Sequence, residues 1–214
     1  MNRNRSPLFI TAGILVALGA LLTYISGYYV DWLWFKSVDF TSVWSKVLIT
    51  KIELFVLVGV VTSFVISLNI YLAFKRRPLY VPTSIEVSGL ERLRAQIEPI
   101  RRWVFIAVVV VLTYFAGTSG MVFWREWLLF RNSTNFGAKD PQFGLDISFF
   151  VFKLPMLQAI IGWGISTLVL ATLATAFIHY MYGGIRTTVQ TDRTTVAARV
   201  QISILLGLIV LLKA

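Results

Sequence analysis

Long runs of uncharged, apolar residues recur along this chain. A helix rises 1.5 Å per residue, so about 20 apolar residues are needed to cross roughly 30 Å of hydrocarbon. Runs of this length predict transmembrane helices over residues 8–29, 52–74, 103–124 and 156–182, and a shorter run, 198–213, predicts a partial fifth. The sequence therefore predicts an all-α integral membrane protein, a bundle of four complete transmembrane helices plus a partial fifth.

The composition supports the membrane assignment and excludes several classes of site. The chain is 57% hydrophobic and only 14% charged, which is far from the composition of soluble domains. Its net charge of +10 is spread over short loops, which argues against nucleic-acid binding. With no cysteine and a single histidine, the chain offers no disulfide, iron–sulfur, two-histidine haem or histidine-rich zinc site. We expect no metal and no cofactor.

The Lys and Arg residues predict the orientation. The N-terminus and the loops on its side of the membrane carry twelve of them, against seven in the opposite loops. Because positive charge accumulates in cytoplasmic loops, we expect a cytoplasmic N-terminus. A cleaved signal peptide is the alternative for the first run. That run is too long for a signal core and ends in aromatic residues rather than small ones, so we expect a retained span.

The segments between the predicted spans have patterns of their own. Residues 84–98 form an amphipathic pattern that fits a helix lying on the cytoplasmic membrane surface or a solvated connector helix. Residues 30–51 and 125–154 are predicted as extracytoplasmic loops, and the first is rich in Trp and Phe, which favours a position in the membrane interface. The whole chain, 1–214, is treated as one transmembrane domain.

His179 is a weak candidate for a functional residue. Ionisable groups at membrane depth often act as ligands or proton carriers. Counting back from Arg186 at 1.5 Å per residue places His179 within about 10 Å of the interface, where it can bond to lipid headgroups or to the last helical carbonyls. We favour this structural interpretation.

Asp140 and Asp146 are the other weak candidates. Neighbouring carboxylates can perform acid–base chemistry or bind calcium. Asp140 precedes a proline and is a typical turn residue, and Asp146 is placed to cap the helix that follows. The sequence offers no partner nucleophile and no calcium-loop spacing, so we expect structural roles for both. Substituting Ala for His179 or Asp146 is expected to leave the protein inserted, with at most a modest loss of stability.

Polar and small residues within the spans indicate helix packing or a permeation path. Hydrogen bonds between helices, or from a hydroxyl to the carbonyl four residues earlier, explain the polar ones without a pore. These polar residues are Ser63, Ser67, Asn69, Thr172 and Thr175. The pairs Gly13 with Ala17 and Ala116 with Gly120 predict close helix approach.

Four strings in the chain resemble a known family. They are DWLWF at 31–35, IEPIRR at 97–102, DPQFGLDISFFVFKLP at 140–155 and HYMYGGIR at 179–186. In this order they are similar to the bacterial membrane proteins of uncharacterised protein family 0182. The resemblance implies about seven spans, a cytoplasmic N-terminus and a large extracytoplasmic C-terminal portion, and it implies no activity. This sequence departs from that pattern because it ends in the fifth span.

These observations favour a non-enzymatic role. We expect a membrane scaffold or accessory subunit that contacts the lipid bilayer and other membrane-protein subunits. A transporter or channel component is the first alternative, although its usual charged or broken spans are missing from this sequence. The second alternative is a membrane anchor for a large extracytoplasmic domain that lies beyond Ala214.

Overall fold

The computed structural model describes residues 7–78, 95–186 and 193–214. These residues form six α-helices, and the all-α prediction is confirmed. The helices are α1 (Pro7–Ser37), α2 (Thr41–Lys75), α3 (Arg101–Met121), α4 (Trp124–Arg131), α5 (Leu154–Met181) and α6 (Val196–Lys213). A 3₁₀ turn, Glu98–Ile100, precedes α3, and a π-helical turn, Phe149–Lys153, precedes α5.

Five of the helical segments are long and apolar enough to cross a membrane. They are Phe9–Ser37, Thr41–Lys75, Ala95–Met121, Phe149–Met181 and Val196–Lys213. Each overlaps most of one of the five predicted runs, so the prediction of multiple membrane helices is confirmed. The shortest run forms an 18-residue helix, α6.

The chain divides into two compact units, Met1–Ile49 and Thr50–Ala214. In the first unit, α1 continues eight residues beyond the predicted span and stacks its own aromatic residues. Tyr29 lies against Trp32, with ring centroids 5.9 Å apart, and Lys36 Nζ lies 4.9 Å from the centre of the Trp32 ring. Much of the segment 30–51, predicted as a loop, is therefore helical. The length of an apolar run predicts only the part of a helix that fits the hydrocarbon, and the helix can extend beyond it.

A short turn separates α1 from α2. Asp39 has a φ of 59°, a left-handed conformation that Asp adopts more readily than most residues. The Phe40 amide donates to the Phe35 carbonyl at 2.9 Å. The turn thus satisfies a carbonyl of the last turn of α1 before α2 begins at Thr41.

In the second unit, α2 and α3 approach closely at three glycines. A β-carbon added at Gly59 would lie 2.7 Å from the Thr113 carbonyl oxygen, and one added at Gly117 would lie 2.7 Å from the Phe55 ring. A β-carbon at Gly120 would lie 2.6 Å from Val58 Cβ. The predicted close approach at Gly120 is thus present, whereas Gly13 has no such neighbour within 4 Å among the described residues.

A small apolar core joins α2, α5 and α6. Its buried members are Ile66, Ala171 and Leu205, one from each helix. Many other large apolar side chains of the second unit are exposed, as membrane helices require where they face lipid. The set of buried side chains is therefore small, and many of them are the polar side chains described below.

The connection from α5 to α6 fixes their relative position. Gly183 has a φ of 74° and ends α5 in the left-handed conformation typical of helix C-termini. The Thr195 amide donates to the Gly184 carbonyl at 2.8 Å, and the Thr195 hydroxyl caps α6 by accepting from the Ala198 amide. The Thr195–Gly184 bond and a second backbone bond, from the Arg186 amide to the Arg193 carbonyl at 2.7 Å, therefore hold the start of α6 against the end of α5.

The predicted amphipathic segment 84–98 lies mostly outside the described residues. Its last part, residues 95–97, is helical and leads through the turn Glu98–Ile100 into α3. Glu98 forms an ion pair with Arg101 at 2.6 Å. Its placement relative to a membrane surface stays a prediction.

Candidate functional site

The single histidine of the chain lies inside the helix bundle. His179, in the last turn of α5, is 1% exposed, and its Nε2 lies 3.1 Å from Oε1 of Gln201 on α6. A β-carbon at Gly184 would lie 2.9 Å from His179 Nδ1, so the glycine leaves room for the ring. We had expected His179 to face headgroups or the last helical carbonyls. The chain reversal at Gly183 instead brings α6 over it.

The Gln201 amide extends this contact to a third helix. Its Nε2 donates to the Asn69 backbone oxygen at 3.0 Å and lies 3.3 Å from Asn69 Oδ1. Because Nε2 faces two acceptors, Oε1 faces His179 as an acceptor, and His179 Nε2 must carry the proton. Asn69 Nδ2 in turn donates to the Val65 carbonyl at 2.9 Å. We call His179, Gln201 and Asn69 the polar triad.

The polar triad is suited to holding helices together. Its hydrogen bonds link α2, α5 and α6 within the bundle, where the alternative for each group is an unpaired position in an apolar surrounding. The same residue types can carry protons when a charged partner is present. No cluster of three or more His, Cys, Asp or Glu side chains lies within metal-binding reach in the parts of the chain that the structure describes.

A second group of polar side chains joins α2 to α3 and α5. Trp163 Nε1 donates to the Thr62 hydroxyl at 2.8 Å, and Thr62 lies 3.5 Å from the Thr167 hydroxyl. The Ser63 hydroxyl lies 2.7 Å from that of Thr113. These bonds follow the interhelical pairing expected for Ser63.

The remaining polar residues of the spans differ in their contacts. Thr172 donates to the carbonyl of Leu168 on its own helix at 2.7 Å, as expected. Thr175 and Ser67 have buried hydroxyl oxygens for which the described residues supply no hydrogen-bond partner.

Asp146 organises the loop between α4 and α5. Its Oδ1 accepts from the amides of Ser148 at 2.8 Å and Phe136 at 3.1 Å, and its Oδ2 accepts from the Gly137 amide at 2.9 Å. The contact with Ser148 is the predicted local cap, whereas those with Phe136 and Gly137 reach ten and nine residues back along the chain. Hydrogen bonds from the side chain and the amide of Ser148, and then from the other two amides, lower the pKa of Asp146 to about 2.

Asp140 stabilises a turn within the same loop. Its Oδ1 accepts from the amides of Gln142 at 3.0 Å and Phe143 at 2.8 Å. Gly144, with a φ of 65°, donates its amide to the Asp140 carbonyl, and this completes the turn. Both predicted carboxylate candidates thus use their oxygens on backbone amides.

Comparison with known proteins places the chain in a family. Residues 8–214 match the family described as Uncharacterised protein family (UPF0182). The chain belongs to this family. The resemblance drawn from the four strings is therefore confirmed.

Relatives described as UPF0182 proteins occur in several bacteria. Those of Nocardioides sp. and Salinispora tropica are 43% and 44% identical over 213 and 209 residues, which is 100% and 96% of this chain. The relative in Rhodococcus erythropolis is 34% identical over 214 residues. The matched regions are 21%, 21% and 22% of these relatives, so the chain spans about a fifth of their length. No solved structure matches the chain.

Sequence reasoning missed Gln201 in this UPF0182 chain. It stands near the start of the shortest apolar run, two residues after Arg199, and the run as a whole hides it. Ala198, Gln201 and Leu205 are all buried and recur at the spacing of one helix face. A single amide on an otherwise small and apolar stripe was the signal that could have identified it.

We expect the loop of this UPF0182 chain to lose its order as Asp146 is protonated. The pKa of Asp146 in the folded protein, about 2, lies below the ordinary Asp value of 3.8. Its stabilising effect is therefore complete at neutral pH and is lost as the pH falls from about 4 towards 2. Pepsin, which is active in this range, should cleave near Phe136 and Phe143 increasingly fast below pH 4.

The Asp146→Asn variant should be cleaved quickly at pH 4 as well as at pH 2. Its side chain lacks the negative charge to which the three backbone amides donate. Asp39→Asn, which lies outside the loop, is the matched control and should behave as the unaltered protein does. Equal cleavage rates in the unaltered and Asp146→Asn proteins at pH 4 would contradict the prediction.

Proposed function

We propose that this chain is a non-enzymatic scaffold of the bacterial plasma membrane that packs against other membrane-protein segments. The observation that carries the proposal is the chemistry of the buried polar side chains. Within the described residues of the membrane helices these are hydroxyls, one amide and one imidazole, with no Asp, Glu, Lys or Arg, and they include His179, Gln201 and the threonines around Trp163. Their hydrogen bonds serve cohesion between helices, which is the requirement of a scaffold.

A transporter or channel component is less well supported. Such proteins place ionised side chains or broken helices at mid-membrane. Neither feature occurs in the described parts of the membrane helices, whose buried polar residues are hydroxyls, amides and one imidazole. Charged residues in further spans would revive this alternative.

A membrane anchor is a second candidate function, and one observation favours it. The chain spans about a fifth of the length of its relatives. Under this proposal the helices hold a much larger portion of the same polypeptide at the membrane, and that portion carries the activity. The two candidates differ in what the outer surface of the helices contacts.

The orientation is part of the proposal. A cytoplasmic N-terminus is supported by the excess of Lys and Arg on that side of the predicted spans. Because the chain lacks cysteine, single cysteines at Ser37 and Arg76 can be labelled with a membrane-impermeant thiol reagent in intact cells. Labelling of Arg76→Cys but not of Ser37→Cys would mean that the N-terminus lies on the extracytoplasmic side, and would contradict the proposed orientation.

Photo-cross-linking in the native bacterium tests the scaffold proposal. A photoreactive amino acid replaces one outward-facing residue on each of four helices, in the full-length protein. The four positions have similar exposure, between 62% and 70%: Phe64, Phe115, Leu173 and Leu211. We expect at least one position to yield a reproducible adduct with one other membrane protein.

The outcomes separate the candidates. An adduct between the helices and a distant segment of the same polypeptide would favour the anchor. Adducts with lipid alone at all four positions would contradict the scaffold proposal, because a scaffold must contact its partner through at least part of this surface.

A further inference from the structure

Two arginines meet on one pair of aromatic rings at an end of the helix bundle. Phe74, in the last turn of α2, and Tyr182, which follows α5, contact each other edge to face with ring centroids 5.2 Å apart. Arg77 Cζ lies 4.0 Å from the centre of the Phe74 ring and 5.2 Å from that of Tyr182. Arg101, the first residue of α3, has its Cζ 4.8 Å from the Phe74 ring centre. We call these four residues the arginine–aromatic cluster.

The rings pre-organise the two guanidinium groups. Arginine binds aromatic rings through cation–π attraction while its N–H groups remain able to donate hydrogen bonds. Arg77 is half-buried, and the Arg101 side chain is 49% exposed. Because part of the side-chain entropy is already lost, a ligand that binds these N–H groups meets a smaller ordering cost.

The surroundings of the arginine–aromatic cluster are strongly positive. Five further cations lie at or just beyond the ends of α2, α3 and α5 or in the first turn of α6: Lys75, Arg76, Arg102, Arg186 and Arg199. Among the described residues, Glu98 is the carboxylate in this region, and it pairs with Arg101 through one nitrogen. No described carboxylate forms an ion pair with Arg77. Among the described residues, the positive charge in this region exceeds the negative charge.

The position of the cluster favours a ligand within the membrane surface. It lies where α2 and α5 end and α3 begins, which is the depth of lipid headgroups for helices that cross the bilayer. Planar guanidinium groups bind phosphate oxygens through paired hydrogen bonds, and basic pockets between membrane helices accept anionic headgroups. We propose that Arg77 and Arg101 bind the phosphate of an anionic phospholipid. This goes beyond the scaffold proposal and does not depend on it.

Lipid-dependent thermal unfolding of the purified full-length protein tests this inference. Phosphatidylglycerol is titrated into neutral detergent micelles, with phosphatidylcholine as the neutral comparison. We expect phosphatidylglycerol to raise the unfolding temperature, and we expect the half-saturating concentration to increase at least tenfold in the Arg77→Gln/Arg101→Gln variant. The Arg77→Lys/Arg101→Lys variant should fall between, because it keeps the charge and loses the planar donors.

The matched control removes two arginines from α4, which follows the other end of α3. Arg125→Gln/Arg131→Gln makes the same change in net charge and should keep the response of the unaltered protein. Circular dichroism and a single elution peak establish that each variant is folded. If the Arg77→Gln/Arg101→Gln variant is misfolded, Arg77→Gln alone should still weaken binding at least threefold.

Three results would overturn the proposal. The first is an equal loss of phosphatidylglycerol binding in both double variants, which would mean that net charge alone attracts the lipid. The second is an equal response to phosphatidylcholine. The third is full stabilisation by inorganic phosphate at matched ionic strength, which would assign the site to a free anion.

Discussion

Gly59→Ala and Gly120→Ala are each expected to destabilise the helix bundle by about 1–3 kcal/mol. In most helix interiors a change from Gly to Ala is stabilising, by roughly 0.5–1 kcal/mol. Here the sign should reverse, because the new methyl group at Gly59 would lie 2.7 Å from the backbone oxygen of Thr113. At Gly120 it would lie 2.6 Å from Val58 Cβ and 3.0 Å from the Leu54 carbonyl oxygen. Helices α2 and α3 must separate to admit either group.

The chain supplies two matched controls for this prediction. Gly162 on α5 and Gly207 on α6 have no described atom within 4 Å of an added β-carbon. Their alanine variants should be as stable as the unaltered protein or slightly more so. Unfolding by increasing fractions of SDS in mixed micelles, followed by tryptophan fluorescence, measures all four. If Gly59→Ala and Gly162→Ala unfold at the same SDS fraction, the close approach of α2 and α3 is wrong.

His179→Ala is expected to cost about 1–3 kcal/mol, since it leaves the Gln201 oxygen buried without its donor. This is more than the modest loss expected from the sequence, because the structure places the imidazole inside the bundle at 1% exposure. The Gln201→Leu variant should lose a similar amount. The double variant should be less destabilised than the sum of the two, with a coupling of about 0.5–2 kcal/mol.

A double-mutant cycle measured by the same SDS unfolding tests this coupling. Ser166→Ala is the control, because the exposed Ser166 hydroxyl donates to a carbonyl of its own helix. It should cost little alone and should be additive with Gln201→Leu. If the losses of unfolding free energy in His179→Ala and Gln201→Leu simply add in the double variant, the two side chains are not coupled and the polar triad does not act as a unit.

Local patterns in the sequence were enough to predict the membrane helices and the caps. The apolar runs located five helices, and the spacing around Asp146 located its contact with Ser148. Both features depend on residues a few positions apart. The helix ends were harder to predict, because α1 and α2 continue beyond the hydrocarbon-sized runs into aromatic residues.

Contacts between distant segments could not be predicted in this way. Asn69 and His179 were visible as polar residues in apolar runs, but nothing local indicated that Gln201 would join them. The bonds from Asp146 to Phe136 and Gly137 depend on a chain reversal that the sequence suggests only through its glycines. Such pairings are set by how helices and turns come together, and they appear only in the folded chain.

The polar triad also bears on how the protein is inserted during synthesis. Of the three helices that carry the triad, α2 enters the membrane first, and Asn69 can already donate to the Val65 carbonyl of that helix. His179 follows with α5, and Gln201 arrives last with α6. Because Gln201 bonds to both of the others, the interior hydrogen bonds are completed only when α6 has left the translocation machinery. Until then, His179 lacks the amide that it faces in the finished bundle.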